Sequence, residues 1–401
     1  MTQYFWPENF IINDIARKLK EKNIEIDILT ANPSYPSKEK FRNFKKNSFF
    51  KDSFVGLNLI RIPIIKRNGS SILNLFLNYI SYIINGIFLY PIFFNKIKSD
   101  IIFVYLPSPL LSALPAIVLR FIFRVKVVLW VQDLWPESIT ATKNINNKII
   151  LSLIEFLVKI IYRNCDLILI SSKKFEKKIN KYTSVPITYY PNSYEKKTLS
   201  SENEHTKEIL ESHFSKDFNI VFAGNIGSAQ SMKTIVDSCS KLLKKNIRIN
   251  IILFGDGSEY KWVEQQIKDK KLTNLKLAGS VDSEEINYIY EKTDALLISL
   301  AKHEIFSLTV PYKLQAYLAA GKPIIGSIDG AAAEIIKDSE CGMVASAESV
   351  DELVNIIIEM SQKNEVMRNE MGERGKIYFE ENFQMDLNIN RLYNIFKEQI
   401  I

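Results

Sequence analysis

The stretch Glu304–Pro323, EIFSLTVPYKLQAYLAAGKP, holds the residues whose types and spacing point most directly to chemistry. Pro311 suits a helix start, because its missing N–H would lack a partner there anyway. Leu314, Tyr317 and Leu318 then fall at helical spacing, Gly321 closes the helix, and Pro323 stops it. Ile324 and Ile325 read as a short buried strand. The spacing predicts a loop over Glu304 to Thr309, then a helix, then a strand. Backbone N–H groups of Ser307, Leu308 and Thr309 at the helix start, with the positive end of the helix dipole, suit a phosphate or diphosphate. Lys313 adds a point charge; the plain alternative is a solvated helix lysine.

A second set follows apolar strand-like runs. VKVVLWV leads into Gln132-Asp133-Leu134-Trp135-Pro136-Glu137-Ser138, and IIFVY leads into Leu106-Pro107-Ser108-Pro109. Asp133 or Glu137 at such a place can orient an acceptor hydroxyl or take its proton. The plain alternative for Asp133 is a turn cap before Pro136. His303 and Glu304 are neighbours in sequence and do not face each other on a helix. Cys165, Cys239 and Cys341 are far apart and odd in number, which argues against a disulfide framework or zinc site and fits a reducing cytosol.

The elements that must position these residues form a strand–helix rhythm, which argues for mostly parallel sheets with ligands at strand carboxyl ends. It runs once to about Asn192 and restarts after the polar stretch Ser200 to Lys216. In the restarted half, NIVFA runs into Gly224-Asn225-Ile226-Gly227-Ser228-Ala229-Gln230, IILF into Gly255-Asp256-Gly257, and LKL into Gly279-Ser280-Val281. Together with the Glu304–Pro323 helix start, these loops describe a nucleotide-sized cleft facing the first domain. The 401 residues suit two domains, and a net charge of +7 is too mild to argue for nucleic acid. No basic region followed by an apolar core opens the chain, so no signal peptide is expected.

Two stretches stand out. The N-terminus begins at once with Tyr4-Phe5-Trp6-Pro7 and a helix pattern, so the first strand of an α/β domain is expected to be missing, or the start to lie late. Residues 71–97 are very rich in Ile, Leu, Phe and Tyr, but four Asn interrupt them and Pro91 breaks them. A buried helix, a helix half-sunk in a membrane interface and a true span all remain open. Lys66, Arg67, Lys96 and Lys98 bracket the stretch and suit anionic headgroups.

The chain resembles the family-4 glycosyltransferases over nearly its whole length, and most nearly the bacterial O-antigen and capsule enzymes that include N-acetylfucosamine transferases. The residues that carry this are TQYFWPE at the start, WVQDLWPES at 130–138, YPN at 190–192, GNIGSAQ at 224–230, GDG at 255–257 and VPYKLQAYLAAGKPI at 310–324. The resemblance implies a GT-B fold: an acceptor-side Rossmann-like domain over 1–195, a nucleotide-sugar domain over 196–380, and a C-terminal helix over 381–401 returning to the first. It implies a retaining, metal-independent transferase without a cofactor, using a nucleotide sugar, most often a UDP sugar. The acceptor would be a polyprenyl-linked glycan at the cytoplasmic face of the cell membrane, with the enzyme held peripherally there. Gly224, Asn225, Gly227, Gln230, Gly255, Ser280, Val281, Glu304, Ser307, Leu308, Thr309 and Lys313 would bind the donor. Asp133 and Glu137 would be catalytic, with Glu8, Asn9, Ser108 and Gln132 on the acceptor side. The chain departs from the pattern at Asn225 and Gln230, where many members carry Arg and Lys, and at Leu308 and Ala316, where many carry a Glu pair. These losses keep a non-catalytic nucleotide-binding subunit in play; a UDP-sugar epimerase of the same fold is the other alternative.

Overall fold

The computed structural model describes residues 1–35, 41, 48–67, 72–97, 99–139, 147–197 and 203–400. Lys98 and most of the basic, aromatic stretch 38–51 lie outside them. The chain divides into two compact units, Met1–Pro191 with Met385–Ile401, and Asn192–Gln384.

The first unit contains β1 (Asp27–Ala31), β2 (Phe50–Phe54), β3 (Leu57–Ile62), β4 (Ile101–Leu106), β5 (Lys126–Val131), β6 (Leu167–Ile170) and β7 (Ile187–Tyr189). They pair as β1-β3-β2 and as the all-parallel β4-β5-β6-β7. The buried apolar runs of β4 to β6 are what a parallel sheet covered on both faces requires. The β2–β3 hairpin is antiparallel and was not legible in the sequence; its turn is Val55-Gly56, both left-handed at φ 46° and 74°.

Met1–Gln3 runs between β1 and β4. The Thr2 N–H donates to the Leu29 carbonyl at 3.0 Å, and the Ala31 N–H donates to the Gln3 carbonyl at 3.3 Å. On the other side the Met1 amine donates to the Phe103 carbonyl at 2.6 Å, and the Tyr105 N–H donates to the Met1 carbonyl at 3.0 Å. Met1–Gln3 thus lie between β1 and β4, where the sequence leads to the expectation of a missing first strand, and no regular strand is formed there among the described residues. Too short to show an apolar run, they are held because buried backbone groups need partners.

Around these sheets lie α1 (Ile11–Lys20), α2 (Ile72–Phe94) and α3 (Leu114–Phe123). The helix α2 continues through Pro91, contrary to the expected break. Only the hydrogen bond that residue 91 would donate back one turn is lost. By length and composition Leu73–Phe94 could cross a membrane. The asparagines that interrupt it tie it to its own unit: buried Asn78 accepts from the Gln3 amide at 2.9 Å and donates to the Ile65 carbonyl at 2.6 Å, and Asn85 donates to the Pro63 carbonyl at 2.8 Å. At Gly86 a Cβ would stand 2.7 Å from the Pro115 ring, so α2 packs closely on α3. Leu73, Phe76, Leu77, Ile84, Phe88 and Ile92 are left exposed. The C-terminal helix Met385–Ile400 packs on α1, with a Lys18–Asp386 ion pair at 2.8 Å, and sets Phe396 against Phe103.

The second unit has β8 (Phe218–Ala223), β9 (Ile249–Phe254), β10 (Leu275–Gly279), β11 (Ala295–Ser299), β12 (Ile324–Ser327) and β13 (Gly342–Ala345). All pairs are parallel, in the order β10-β9-β8-β11-β12-β13. Counted from β8 this is the 3-2-1-4-5-6 order of a doubly wound sheet, with its switch point between β8 and β11.

Candidate functional site

The switch point puts the loops after β8 and β11 beside each other, and the Ala301 N–H donates to the Ala229 carbonyl at 2.9 Å. The glycine loops interlock. The Gly224 N–H donates to the Phe254 carbonyl at 2.9 Å, and the Gly255 N–H to the Gly279 carbonyl at 2.7 Å. Gly255 has φ 129°, and a Cβ on it would lie 1.9 Å from the Gly224 carbonyl oxygen. No other residue fits there. The Ile226 N–H donates to the Asp256 carbonyl at 2.9 Å, joining the first two loops. The Gln230 amide turns back on its own loop, where its nitrogen donates to the Asn225 and Gly227 carbonyls at 3.1 Å, so this neutral residue braces the loop. Gly227 begins the short turn Ser228–Gln230, and Ser280 and Val281 continue from the carboxyl end of β10.

Lys313 is the second residue of the helix Tyr312–Ala320, whose cap is Pro311 and whose end is the left-handed Gly321 at φ 67°. It is not the solvated lysine of the plain alternative. Its ammonium lies 3.7 Å from the centre of the Phe222 ring and 3.0 Å from where a Cβ on Gly224 would be. It is buried and finds no hydrogen-bond partner among the described residues. Burial pulls its pKa from 10.5 down to about 7. The positive end of its own helix disfavours the cation further, so a bound anion relieves both penalties. The helix is fixed to β8 by Tyr317, whose hydroxyl accepts from the Ala223 N–H at 2.8 Å.

One expectation is corrected here. Residues Glu304–Leu308 form a short helix rather than a loop. The Ser307 N–H donates to the His303 carbonyl at 3.1 Å and the Thr309 N–H to the Phe306 carbonyl at 3.3 Å, so these two donors are engaged within the turn. Their hydroxyls also point back, to the Glu304 and Ile305 carbonyls at 2.7 and 2.9 Å. Glu304 opens the turn on its exposed side. Ala316 is buried in the core of the unit. Sequence reasoning missed Gly330, at φ 71°, on which a Cβ would stand 2.0 Å from the Ser307 carbonyl oxygen. Its signal was an Asp-Gly pair between a strand and a helix.

In the first unit, Ser108 and Asp133 follow neighbouring strands, β4 and β5. Asp133 accepts from the Ser138 hydroxyl, and the nearby Trp135 and Ser108 side chains also favour its ionised form. Burial outweighs these bonds and raises Asp133 from 3.8 to about 6. The Gln132 amide nitrogen is buried without a partner among the described residues. Glu137 approaches the Tyr162 hydroxyl, which is pushed far up, first by burial and then by that carboxylate. Glu8 is a loop clamp instead of a free acceptor contact: its carboxylate accepts from the N–H groups of Ser34, Tyr35 and Phe5 at 2.8, 2.7 and 3.3 Å. Asn9 is exposed beside it.

These loops sit on a known kind of domain. Residues 205–378 match the family described as glycosyl transferases group 1. A glycosyltransferase of Methanocaldococcus jannaschii, itself uncharacterized, is 27% identical over 174 residues, which is 43% of this chain and 46% of that relative. The match thus spans about half the length of that curated relative. Among solved structures, the sucrose-phosphate synthase of Thermosynechococcus elongatus superposes with a TM-score of 0.75 at 13% identity, covering 96% of this chain and 92% of that one. The Anabaena protein HepE, solved in complex with UDP and glucose, gives 0.67 at 12% identity, covering 98% and 97%. The fold is GT-B, built from two Rossmann-like units.

Proposed function

We propose that the protein is a retaining glycosyltransferase that moves a sugar from a nucleoside diphosphate, UDP in the first instance, to a lipid-linked or growing surface glycan. The observation that carries the donor half is Lys313: a buried ammonium with no partner among the described residues, set against the Gly224 loop of a doubly wound sheet at its switch point. A diphosphate supplies the missing counter-charge. In the reaction the bond from the sugar C1 to the diphosphate oxygen breaks and one from C1 to the acceptor oxygen forms. The charge that develops on the leaving diphosphate falls to Lys313 and the backbone of the glycine loops. The acceptor proton passes to the departing phosphate. The reaction as proposed needs no metal.

The acceptor half rests on the sequence resemblance to O-antigen and capsule enzymes and on the exposed stripe of α2, which suits the cytoplasmic surface of a membrane holding a polyprenyl-linked glycan. The sugar moved is a hexose or an N-acetylamino sugar. The experiment is incubation with a panel of UDP sugars, with and without lipid-linked acceptor. Acceptor-dependent product with one UDP sugar is the expected result. UDP binding without any transfer would instead favour the non-catalytic subunit, for which the replacements Asn225 and Gln230 speak.

A further inference from the structure

Arg67 carries a charge that nothing described in the first unit neutralises. It lies just before α2, and the centre of its guanidinium stands 5.3, 5.0 and 5.4 Å from the ring centres of Tyr4, Tyr35 and Tyr79. Its Nη2 donates to the Tyr4 and Tyr79 hydroxyls at 2.5 and 2.9 Å. Its Nε is buried and has no hydrogen-bond partner, and no carboxylate pairs with the group among the described residues. The two hydroxyls do not make up for this, because burial raises the pKa of both phenols and keeps them neutral. Glu8, near Tyr4, is taken up by the N–H groups of Phe5, Ser34 and Tyr35. Ring faces and hydroxyls hold a guanidinium in place without cancelling its charge. Leaving a half-buried cation in that state is unfavourable, and a bound anion removes the penalty.

The start of α2 sets this cation beside an apolar row. The Asn74 amide donates to the Lys66 carbonyl at 3.4 Å, and Tyr79 holds the guanidinium itself, so Arg67 is tied to the opening turns of the helix. Leu73, Leu77, Ile84 and Phe88 are exposed. At helical spacing they fall within an arc of ~60° and form one stripe ~22 Å long. Phe76, also exposed, fills the arc between that stripe and Tyr79, with Cβ atoms of Phe76 and Tyr79 ~5–6 Å apart. Tyr35 is exposed too, so the tyrosine box opens to solvent on its side.

Given a lipid-linked acceptor, as proposed above, we propose that Arg67 binds the phosphate group through which that acceptor is joined to its lipid, and that the lipid chain lies along the α2 stripe from residue 73 to residue 88. One unpaired cation and one apolar row, a helical turn apart, match the anionic head and long apolar tail of a single molecule. The unpaired Nε supplies a donor to a phosphate oxygen, and a guanidinium suits phosphate better than an ammonium does. A guanidinium boxed by three rings is a site for one phosphate, whereas bilayer headgroups are met by freely exposed lysines spread over a surface.

The test uses neutral phosphatidylcholine vesicles that carry polyprenyl diphosphate, phosphatidylglycerol at equal charge, or polyprenol. Saturating UDP is present throughout, so that Lys313 is occupied. The wild type is expected to bind the diphosphate vesicles ~10-fold or more tightly than either of the others. Arg67→Gln should weaken binding to the diphosphate vesicles alone by ~10- to 100-fold, the range of a charge-assisted hydrogen bond, and Arg67→Lys should recover part of it. UDP affinity should be unchanged in both variants. A wild type that does not distinguish the diphosphate lipid from phosphatidylglycerol would overturn the proposal, whatever the variants do, and would leave a general membrane contact in its place. Arg67→Gln binding the diphosphate vesicles like wild type would overturn it as well. Neither result touches sugar transfer, which is read in its own assay, so failure here is distinguishable from failure of the transferase reading.

Discussion

Lys313 gives the sharpest test of the donor site, because its proton is linked to ligand binding. With its pKa lowered from 10.5 to about 7, most of the ammonium is neutral in the free protein at pH 8. A bound diphosphate restores the charged form. Binding should then take up ~0.1 proton at pH 6, ~0.5 at pH 7 and ~0.9 at pH 8, and UDP affinity should fall ~10-fold per pH unit above 7. The phosphate's own last ionisation lies near pH ~6, below this window. Titration calorimetry in buffers of different ionisation enthalpy measures the uptake directly. Lys313→Met keeps the length and apolar stem and should abolish the uptake, while weakening UDP binding ~10-fold or more at pH 7. The sign for folding is opposite. The folded pKa lies below the unfolded one, so between about 7 and 10.5 the unfolded chain binds more protons and stability from this group rises with pH. The penalty is fully present below 7, so Lys313→Met should stabilise the ligand-free protein there by about 1–3 kcal/mol, read by urea denaturation. A flat proton uptake between pH 7 and 9 in the wild type, or an uptake unchanged in the variant, would refute the reasoning.

Other expectations are more direct. Asp133→Asn should lower kcat by about 100-fold or more and leave UDP affinity intact, and wild-type kcat/KM should decline as pH drops through about 6, where the raised carboxyl takes a proton. Gly255→Ala forces a Cβ into the Gly224 carbonyl and should destabilise the second unit by about 2–4 kcal/mol, with loss of UDP binding, measured by denaturation and calorimetry. Phe88→Asp with Ile92→Asp, both exposed on α2, should cut co-sedimentation with anionic vesicles by ~10-fold without changing UDP affinity; unaltered sedimentation would remove α2 from the membrane contact.

How much of the site was legible depended on the kind of residue. The glycine loops at 224–230 and 255–257 could be read because Gly255 occupies a backbone conformation and a close approach that only glycine tolerates, and strand-like runs precede them. The helix bounded by Pro311 and Gly321 was legible for the same local reasons. The neighbouring turn was not. Glu304–Leu308 has no periodicity long enough to betray a helix, so donors assigned to Ser307 and Thr309 turned out to be engaged in it. Glu8 looked like a ligand contact because a carboxylate's partners, here the N–H groups of Phe5, Ser34 and Tyr35, cannot be read from its own position.

The sequence by itself determined the local chemistry: apolar runs that must be strands, glycines that must turn, asparagines that punctuate an apolar helix. Tertiary structure alone decided which of these mattered. A lysine early in a helix is solvated by default, and only the packing of Phe222 and the Gly224 loop around it makes Lys313 a buried, unpartnered cation. A three-residue stub carries no pattern of its own. Only its hydrogen bonds to β1 on one side and β4 on the other show that Met1–Gln3 is part of the packed interior of the first unit. In both cases the deciding quantity is a relation between residues far apart in the chain, which no window of sequence contains.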